Sequence, residues 1–409
     1  SGRKHWHAKI FPELTELIDP NREGEGSMTY RSKEGALFTS AGGASRRAIY
    51  KGCGYDDVDL ARPLIGVVNP ANDAGLGHVH LDKLAESVKA GIWQAGGTPF
   101  EFRTIATCGA IPIGTPHMRY ELVIRDVIAS SVEIMANVQL LDGLVLLASC
   151  DSIIPGVIIG GIRSGLPFIF LSGGPQLTAR HEGRQVVMSE LDQVVFGARY
   201  GKEDVSERMR FLEDHVCPGP GACSLMGTAN TMQILAEVLG LSLPGSATVP
   251  AVYAEKLRLG RRTGRRIVEM VQEGLSADKV LTRANLLNAV KATLALAGST
   301  NAVLHLVSIA RELDIDLSLD DFDRLSREVP VLSRVIPTGR KTVVDLHEAG
   351  GVPALLKELE GMLELDAMTV TGRPLAEVLP RKGSLDKTTL AGADDPVFES
   401  GGIAVMKGN

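Results

Sequence analysis

Short apolar runs that alternate with helical stretches constrain the fold of this 409-residue chain more than any other feature. The clearest run, Leu144–Ala148, is continuously apolar, as expected of a strand buried on both faces of a parallel sheet. An earlier run at Pro63–Asn69 leads through a stretch of helical periodicity into another strand at Thr98–Thr104. This order predicts parallel strands joined by a crossover helix. With a fourth strand predicted at Leu166–Leu171, the fold class is α/β, a doubly wound and mainly parallel sheet flanked by helices.

The chain divides into three predicted parts. Residues 1–54 are interpreted as an N-terminal arm and first helix, and residues 55–379 as the α/β domain. Residues 380–409 are rich in Gly and Asp with short β-like pieces, and they predict the start of a second, β-type domain. Unpaired strands expose backbone groups, so Gly402–Met406 should be disordered, fold back onto the helices or pair within a homodimer. We favour the homodimer, because a symmetric contact covers two edges at once.

Composition narrows the class of partner and compartment. A net charge of -6 argues against a nucleic-acid partner, and no apolar run approaches the length of a membrane span. The chain has 45 glycines and only 4% aromatic residues, which favours closely packed small side chains and tight turns. An odd and sparse set of cysteines does not indicate a disulfide framework, so we expect the cytoplasm or an organelle matrix. The five cysteines are Cys53, Cys108, Cys150, Cys217 and Cys223.

Cys150 and Asp151 stand where the Leu144–Ala148 run stops, and Pro155 suits the first turn of a following helix. The carboxyl end of a strand is where open α/β sheets build their sites. A soft thiolate beside a hard carboxylate favours a metal site there. The alternative is a buried, inert cysteine beside an Asp that caps the helix.

Other thiols follow the same pattern. Cys108 lies in the loop after the second strand, and Cys217 and Cys223 flank a Pro/Gly hinge before another helix. A thiol at a helix N-terminus has its thiolate favoured by the helix dipole, which suits a metal ligand. We predict that Cys150 and Cys223 meet at one site, with Cys108 as the favoured third thiol and Cys217 as the alternative. A zinc site fits less well, because no close cysteine pair has zinc-ribbon spacing.

Two further features have both a functional and a structural interpretation. Ser172, Gly173 and Gly174 form a turn after the fourth strand, whose backbone N–H groups suit an anionic substrate. The alternative is a plain turn. His78 and His80 lie just before a helix, where they are candidate site residues or hydrogen-bond partners of the loop backbone.

Segments in a matching order and spacing resemble the dihydroxy-acid dehydratase and phosphogluconate dehydratase family. The segment Leu346–Gly351 favours the dihydroxy-acid branch. The matching segments are Gly77–Leu81, Ala95–Gly97, Phe100–Phe102, Met118–Tyr120, Cys150-Asp151, Pro155-Gly156, Ser172–Pro175, Cys217–Cys223, Thr228–Met232, Gly298–Leu306 and Met406–Asn409.

The resemblance implies a hydro-lyase that converts a 2,3-dihydroxy acid or a sugar acid to a 2-oxo acid, in branched-chain amino acid biosynthesis or sugar acid metabolism. It implies an iron–sulfur cluster, [2Fe-2S] or [4Fe-4S], as Lewis acid together with Mg²⁺. Carried over onto this sequence, Cys150 and Cys223 match cluster ligands, and Asp151 matches a Mg²⁺ ligand.

Departures from the family pattern concern the metal ligands. Gly109 stands where the family often has an Asp ligand, and Ser152 stands where it has a carbamylated Lys. Weak or absent Mg²⁺ binding is therefore expected, since Mg²⁺ needs near-octahedral oxygen ligation. Gly77 stands where some members place a cluster cysteine.

The resemblance also implies residues beyond Asn409. Family members continue into a β-barrel domain that supplies the serine base and a further carboxylate. No catalytic base is therefore expected within these 409 residues, and they are not expected to turn over a dihydroxy acid by themselves. The alternative function is a degenerate, non-catalytic member that acts as a binding or assembly subunit. Gly109 and Ser152 favour that alternative, whereas the retained thiols and Asp151 favour the enzyme.

Overall fold

The computed structural model describes residues 41–201 and 205–408. Its centre is a four-stranded, fully parallel sheet with the order β2-β1-β3-β4, which confirms the predicted fold class. The strands are buried along their whole length, because helices cover the sheet, except for the second in chain order, an edge strand that is only partly buried. They are β1 (Leu64–Asn69), β2 (Thr98–Arg103), β3 (Gly143–Ala148) and β4 (Phe168–Ser172).

A larger set of helices surrounds the sheet, and a small antiparallel hairpin, β5 (Ala179–His181) and β6 (Arg184–Val186), follows it. The helices are α1 (Ala44–Gly52), α2 (Asp57–Ala61), α3 (Leu81–Gln94), α4 (Glu121–Val138), α5 (Ile153–Ser164), α6 (Met188–Tyr200), α7 (Ser206–His215), α8 (Thr228–Val238), α9 (Ala254–Glu273), α10 (Ala277–Val280), α11 (Arg283–Ala295), α12 (Asn301–Glu312), α13 (Leu319–Ser326), α14 (Val343–Glu348), α15 (Gly351–Glu358) and α16 (Leu375–Val378).

The strand order creates a switch point in the sheet. The connection from β1 through α3 leads outward to β2 at one edge of the sheet. The connection from β3 through α5 leads outward to β4 at the opposite edge. Helix α3 packs on α9, and α4 packs on α5. Neighbouring strands whose connections run in opposite directions leave a crevice at their carboxyl ends. The crevice between β1 and β3 is therefore the expected position of a site.

Glycines let the paired helices approach closely. A Cβ atom added at Gly91 of α3 would overlap the Arg261 carbonyl of α9, and one added at Gly264 would overlap the Val88 carbonyl of α3. Backbone thus packs directly on backbone at this crossing. This agrees with the glycine-rich composition.

Some predicted elements differ from the structure. The polar pattern from His181 to about Asp214 predicts a helical region, but the segment begins with the β5–β6 hairpin and only then forms α6 and α7. The turn between the two strands has positive φ at Glu182 and Gly183, and a helix cannot continue through that conformation. The strand-like piece at Met368–Gly372 forms no strand, only an isolated antiparallel bridge between Met368 and Pro374.

Residues 380–408 lie against the chain's own helical layer. Isolated antiparallel bridges pair Val331 with Phe398 and Ser333 with Leu390. The Gly402 N–H donates to the Leu294 carbonyl. Folding back onto the helices was one of the three expected outcomes for this segment.

At the other end of the chain, α1 lies within the predicted first helix, while the predicted arm at residues 1–40 is outside the described residues. None of the helices in the described part of the chain is long and apolar enough to cross a membrane.

Candidate functional site

A cavity of about 700 Å³ opens at the carboxyl ends of the central strands. Four of the five cysteines line it, Cys108, Cys150, Cys217 and Cys223, together with Asp151. The structure therefore brings Cys150 and Cys223 to one cavity, together with both candidates for the third thiol. Cys53 is exposed elsewhere, and all five cysteines are free thiols.

Cys150 follows β3 directly and is buried. A Cβ atom at Gly77 would overlap the Cys150 sulfur, so only glycine leaves this thiol accessible from that side. The Ser149 N–H donates to Nε2 of His78 across 3.3 Å and fixes the backbone beside Cys150. Burial lowers the pKa of His78 to about 4, so this imidazole is neutral and able to accept.

The loop between β1 and α3 contacts all three thiol-bearing segments. Besides the His78 contact next to Cys150, Nδ2 of Asn72 donates to the Ala106 carbonyl, 2.7 Å away, in the Cys108 loop. The Leu76 carbonyl accepts from Gly221 N–H at 3.0 Å, in the Cys223 loop. One loop therefore holds three distant segments in a fixed relative position.

Cys108 and Cys150 lie close enough to shift each other's pKa. The Cys150 thiol donates a hydrogen bond to the Cys108 sulfur, which is the main reason that the pKa of Cys108 falls to about 6. The N–H groups of Ala110 and Ile111 also lower it, against the effect of burial. The same hydrogen bond and burial raise the pKa of Cys150. A lowered pKa gives Cys108 more of the thiolate form, the form able to bind metal, than an ordinary cysteine has.

Cys223 is the more deeply buried of the two hinge cysteines, and burial raises its pKa to about 12. Nearby Cys108, Cys217 and Asp151 add to this increase. Burial also raises the pKa of Cys217. A cation bound in the cavity would favour both thiolates by direct attraction.

Two carboxylates share the space in front of Gly109. A Cβ atom there would lie 2.9 Å from Oδ2 of Asp151 and 3.3 Å from Oε1 of Glu121. Burial raises the pKa of Asp151, and the Glu121 charge raises it further, while the N–H of Ala229 opposes the rise. Glu121 therefore stands beside the position where the family often has its Asp ligand. Ser152 is buried just before α5.

The Ser172-Gly173-Gly174 turn lies outside the walls of the cavity. The Gly173 N–H donates to the Ala148 carbonyl at 3.0 Å, and the Gly174 N–H donates to Oε1 of Gln233 at 2.9 Å. His80 Nε2 lies 3.0 Å from the Gly173 carbonyl oxygen and donates to it. Both histidines thus bond to the backbone, which is the structural interpretation.

Sequence reasoning missed several residues near the site. Glu121 is the first residue of α4, and an acidic side chain there is ordinarily explained by the helix dipole. The only sequence signal for a role at the site was Gly109, where the family pattern has an Asp that another carboxylate could replace. Two buried charged residues also gave no signal beyond lying in helices: Lys256, which donates to Ser172 Oγ at 3.3 Å, and Glu237, which accepts from the N–H groups of Gly245 and Ala247.

The cysteine thiols around the cavity are of the donor type that holds an iron–sulfur cluster. Across residues 41–201 and 205–408, no three His, Cys, Asp or Glu side chains are arranged to hold one metal ion. A cluster of several irons fills a larger volume and is held by cysteine thiolates. The thiols around this cavity are of that type, and Asp151 with Glu121 offers the oxygen atoms that Mg²⁺ prefers.

Comparison with known proteins identifies the family. A family model described as dihydroxy-acid/6-phosphogluconate dehydratase, N-terminal, matches residues 62–378. The chain therefore belongs to the dihydroxy-acid/6-phosphogluconate dehydratase family, a family of hydro-lyases, and the predicted resemblance is confirmed.

Individual relatives carry the name of the dihydroxy-acid branch. The chain is 45% identical over 383 residues to the dihydroxy-acid dehydratase of Ignicoccus hospitalis, a match that covers 92% of this chain and 68% of that protein. It is 46% identical over 370 residues to that of Methanothrix thermoacetophila (90% and 66% covered). It is 43% identical over 367 residues to that of Pyrococcus furiosus (89% and 66%). The chain thus spans about two thirds of the length of these curated relatives.

Proposed function

We propose that this chain carries the metal-binding part of a dihydroxy-acid dehydratase, which removes water from a 2,3-dihydroxy acid and gives a 2-oxo acid. The observation that supports the proposal is the set of thiols from three separate segments that line one cavity beside two carboxylates. Cys108, Cys150 and Cys223 are the proposed cluster ligands, with Cys217 as the alternative to Cys108.

When bound, the cluster and Mg²⁺ supply Lewis acids for the leaving hydroxyl and for the substrate carboxylate. Asp151 and Glu121 are the proposed protein ligands of Mg²⁺. An octahedral ion needs more oxygen atoms than two side chains offer, so this chain alone binds Mg²⁺ weakly. Neither carboxylate is proposed as the base, which we place beyond Asn409.

The walls of the cavity suit an alkyl group more than a phosphorylated sugar. Ile111, Ile113, Val195 and Phe196 line it with exposed apolar surface. Among the described residues that line it, none is a Lys or Arg that would pair with a phosphate. These walls support the dihydroxy-acid branch over the phosphogluconate branch.

Several finer features remain part of this proposal. Residues 380–409 would lead into a second, β-type domain, corresponding to the extra length of the relatives. The turn at Ser172 to Gly174 would contact substrate only if ligand binding or that second domain changes its present hydrogen bonds. We further propose a homodimer. We also propose a reducing compartment such as the cytoplasm or an organelle matrix, because all five cysteines are free thiols.

Iron binding tests the proposal directly. After anaerobic reconstitution with iron and sulfide, the wild-type chain should hold iron and show cluster absorption in the visible range. Cys150→Ser and Cys223→Ser should each lose most of that iron, because each removes a thiolate ligand. Cys53→Ser is the matched control, since this exposed cysteine lies outside the cavity.

The third ligand is distinguished in the same experiment. Cys108→Ser should lose iron and Cys217→Ser should keep it. The reverse result would assign Cys217 instead. Full iron retention in both Cys150→Ser and Cys223→Ser would contradict the proposed function.

A further inference from the structure

We infer that Asn230 and Gln233 are positioning residues that set the place of the Cys223 thiol relative to Asp151. The inference builds on the proposed function, which assigns Cys223 as a metal ligand. Neither amide side chain lines the cavity, so both act through the segments that they hold.

A chain of side-chain amides joins the end of β4 to the Cys223 loop. The Gly174 N–H donates to Oε1 of Gln233 at 2.9 Å. Nε2 of Gln233 donates to Oδ1 of Asn230 at 3.1 Å. Nδ2 of Asn230 donates to the carbonyl of Cys223 and, at 2.8 Å, to that of Leu225. Each amide accepts through its oxygen from the preceding group and donates through its nitrogen to the following one, so the hydrogen bonds all run in one direction.

Burial makes this relay costly to break. Asn230 is 1% exposed and Gln233 is fully buried. Water does not replace a lost donor at such a position, and an unpaired buried carbonyl costs more free energy than an exposed one. The Cys223 carbonyl therefore stays where the Asn230 amide holds it.

The same helix end also holds the neighbouring carboxylate. The N–H of Ala229, next to Asn230 in the first turn of α8, lies close enough to the Asp151 carboxylate to lower its pKa against the effect of burial. Asp151 follows β3, whereas Cys223 precedes α8 by a short loop. One helical turn thus fixes a carboxylate and a thiol from two separate segments, and the Asn230 contact sets the distance between them.

Cysteine labelling tests the inference on the metal-free protein. Iodoacetamide should modify Cys223 of Asn230→Ala about tenfold faster than in the wild type, because loss of the buried donor frees the loop. Cys53 should react at an unchanged rate in both. Asn230→Asp should behave like Asn230→Ala, because a carboxylate oxygen repels the two carbonyls. Gln233→Ala is a milder variant, and it should accelerate labelling by a smaller factor.

Asn288→Ala is the matched control. Asn288 of α11 is also fully buried, and its amide exchanges two hydrogen bonds with the backbone of Glu364, at 2.9 Å and 2.8 Å, away from the cavity. Its loss should lower the free energy of unfolding by a similar amount without changing the Cys223 labelling rate. Equal Cys223 labelling rates in Asn230→Ala, Gln233→Ala and Asn288→Ala would overturn the inference.

A second readout separates the inference from the proposed function. In reconstituted protein, Asn230→Ala should retain less iron and show an altered visible spectrum, whereas Asn288→Ala should match the wild type. If the wild type takes up no iron while Cys223 labelling still accelerates in Asn230→Ala, the relay stands and the proposed function fails. If the wild type binds iron and neither labelling nor spectrum changes in Asn230→Ala, the relay fails alone.

Discussion

At the scale of single residues, Glu121 brings a carboxylate close to Gly109, the position at which the family resemblance implies an Asp ligand. Gly109 removes one carboxylate from the loop after β2, and Glu121 at the start of α4 reaches the same space from the other side. The site thus retains two carboxylates although one position of the family pattern is empty. This weakens the case for a degenerate, non-catalytic member, which rested on Gly109 and Ser152.

Removing the carboxylate at position 121 and adding one at position 109 tests this interpretation. Glu121→Ala should weaken Mn²⁺ binding, measured by electron paramagnetic resonance as a substitute for Mg²⁺, by at least about tenfold, since losing even an outer partner of a ligand costs that much. Adding Gly109→Asp to Glu121→Ala should restore binding.

Gly109→Asp alone is the informative control. It brings a third carboxylate within contact of Asp151 and Glu121, so their repulsion should limit any gain. Unchanged Mn²⁺ affinity in Glu121→Ala would show that Glu121 is not a ligand.

The thiols were predictable from sequence, and the carboxylate was not. Cys108 and Cys150 follow apolar strands, and Cys223 precedes a helix, so the rule that sites form at the carboxyl ends of strands brings them together. Glu121 reaches the site only through the tertiary position of α4. No spacing within the sequence encodes that position.

At the scale of secondary-structure elements, the crossing of α3 and α9 depends on direct backbone contact. Gly91→Ala should lower the free energy of unfolding by about 1–3 kcal/mol, because its Cβ atom would overlap the Arg261 carbonyl. Gly197→Ala in α6 is the matched control, since no atom lies within 4 Å of its Cβ position. Alanine there should raise stability by about 0.5–1 kcal/mol through its better helix propensity. Urea denaturation measures both, and equal effects would refute the role of this contact.

Elements with a strong apolar pattern were predicted well, and polar ones were not. All four strands of the sheet and α3 fall where periodicity placed them. The β5–β6 hairpin was missed because its strands are only three residues each and lack a buried apolar run. Its turn depends on positive φ at Glu182, a residue that seldom adopts it.

At the scale of the whole molecule, the C-terminal segment is part of the folded body. The Ala391 N–H donates to the Leu332 carbonyl, and the Val331 N–H donates to the Phe398 carbonyl, at 2.8 Å and 2.9 Å. Ile403 is buried beside them. The homodimer favoured from the sequence is therefore not required to cover these residues.

Hydrogen exchange distinguishes the two arrangements. If the segment is held by its own chain, the amides of Ala391, Val397 and Gly402 should be protected to the same degree at low and high protein concentration. Protection that rises with concentration would instead support pairing between two chains. The amide of Phe170 in β4 is an internal reference, because its acceptor is the Leu241 carbonyl, outside the C-terminal segment.

The loop between β1 and α3 joins thiols that the ribosome delivers at different times. Cys108 and Cys150 are synthesised before Cys223, and a gap of about 70 residues takes several seconds at about 5–20 residues per second. During that interval the nascent chain contains Cys108 and Cys150, while the Gly221 N–H that pairs with the Leu76 carbonyl in the folded protein does not yet exist. Metal delivered to the nascent chain would meet an incomplete ligand set. If the cavity holds a cluster as proposed, its full set of thiols is available only after the segment that carries Cys223 has been synthesised.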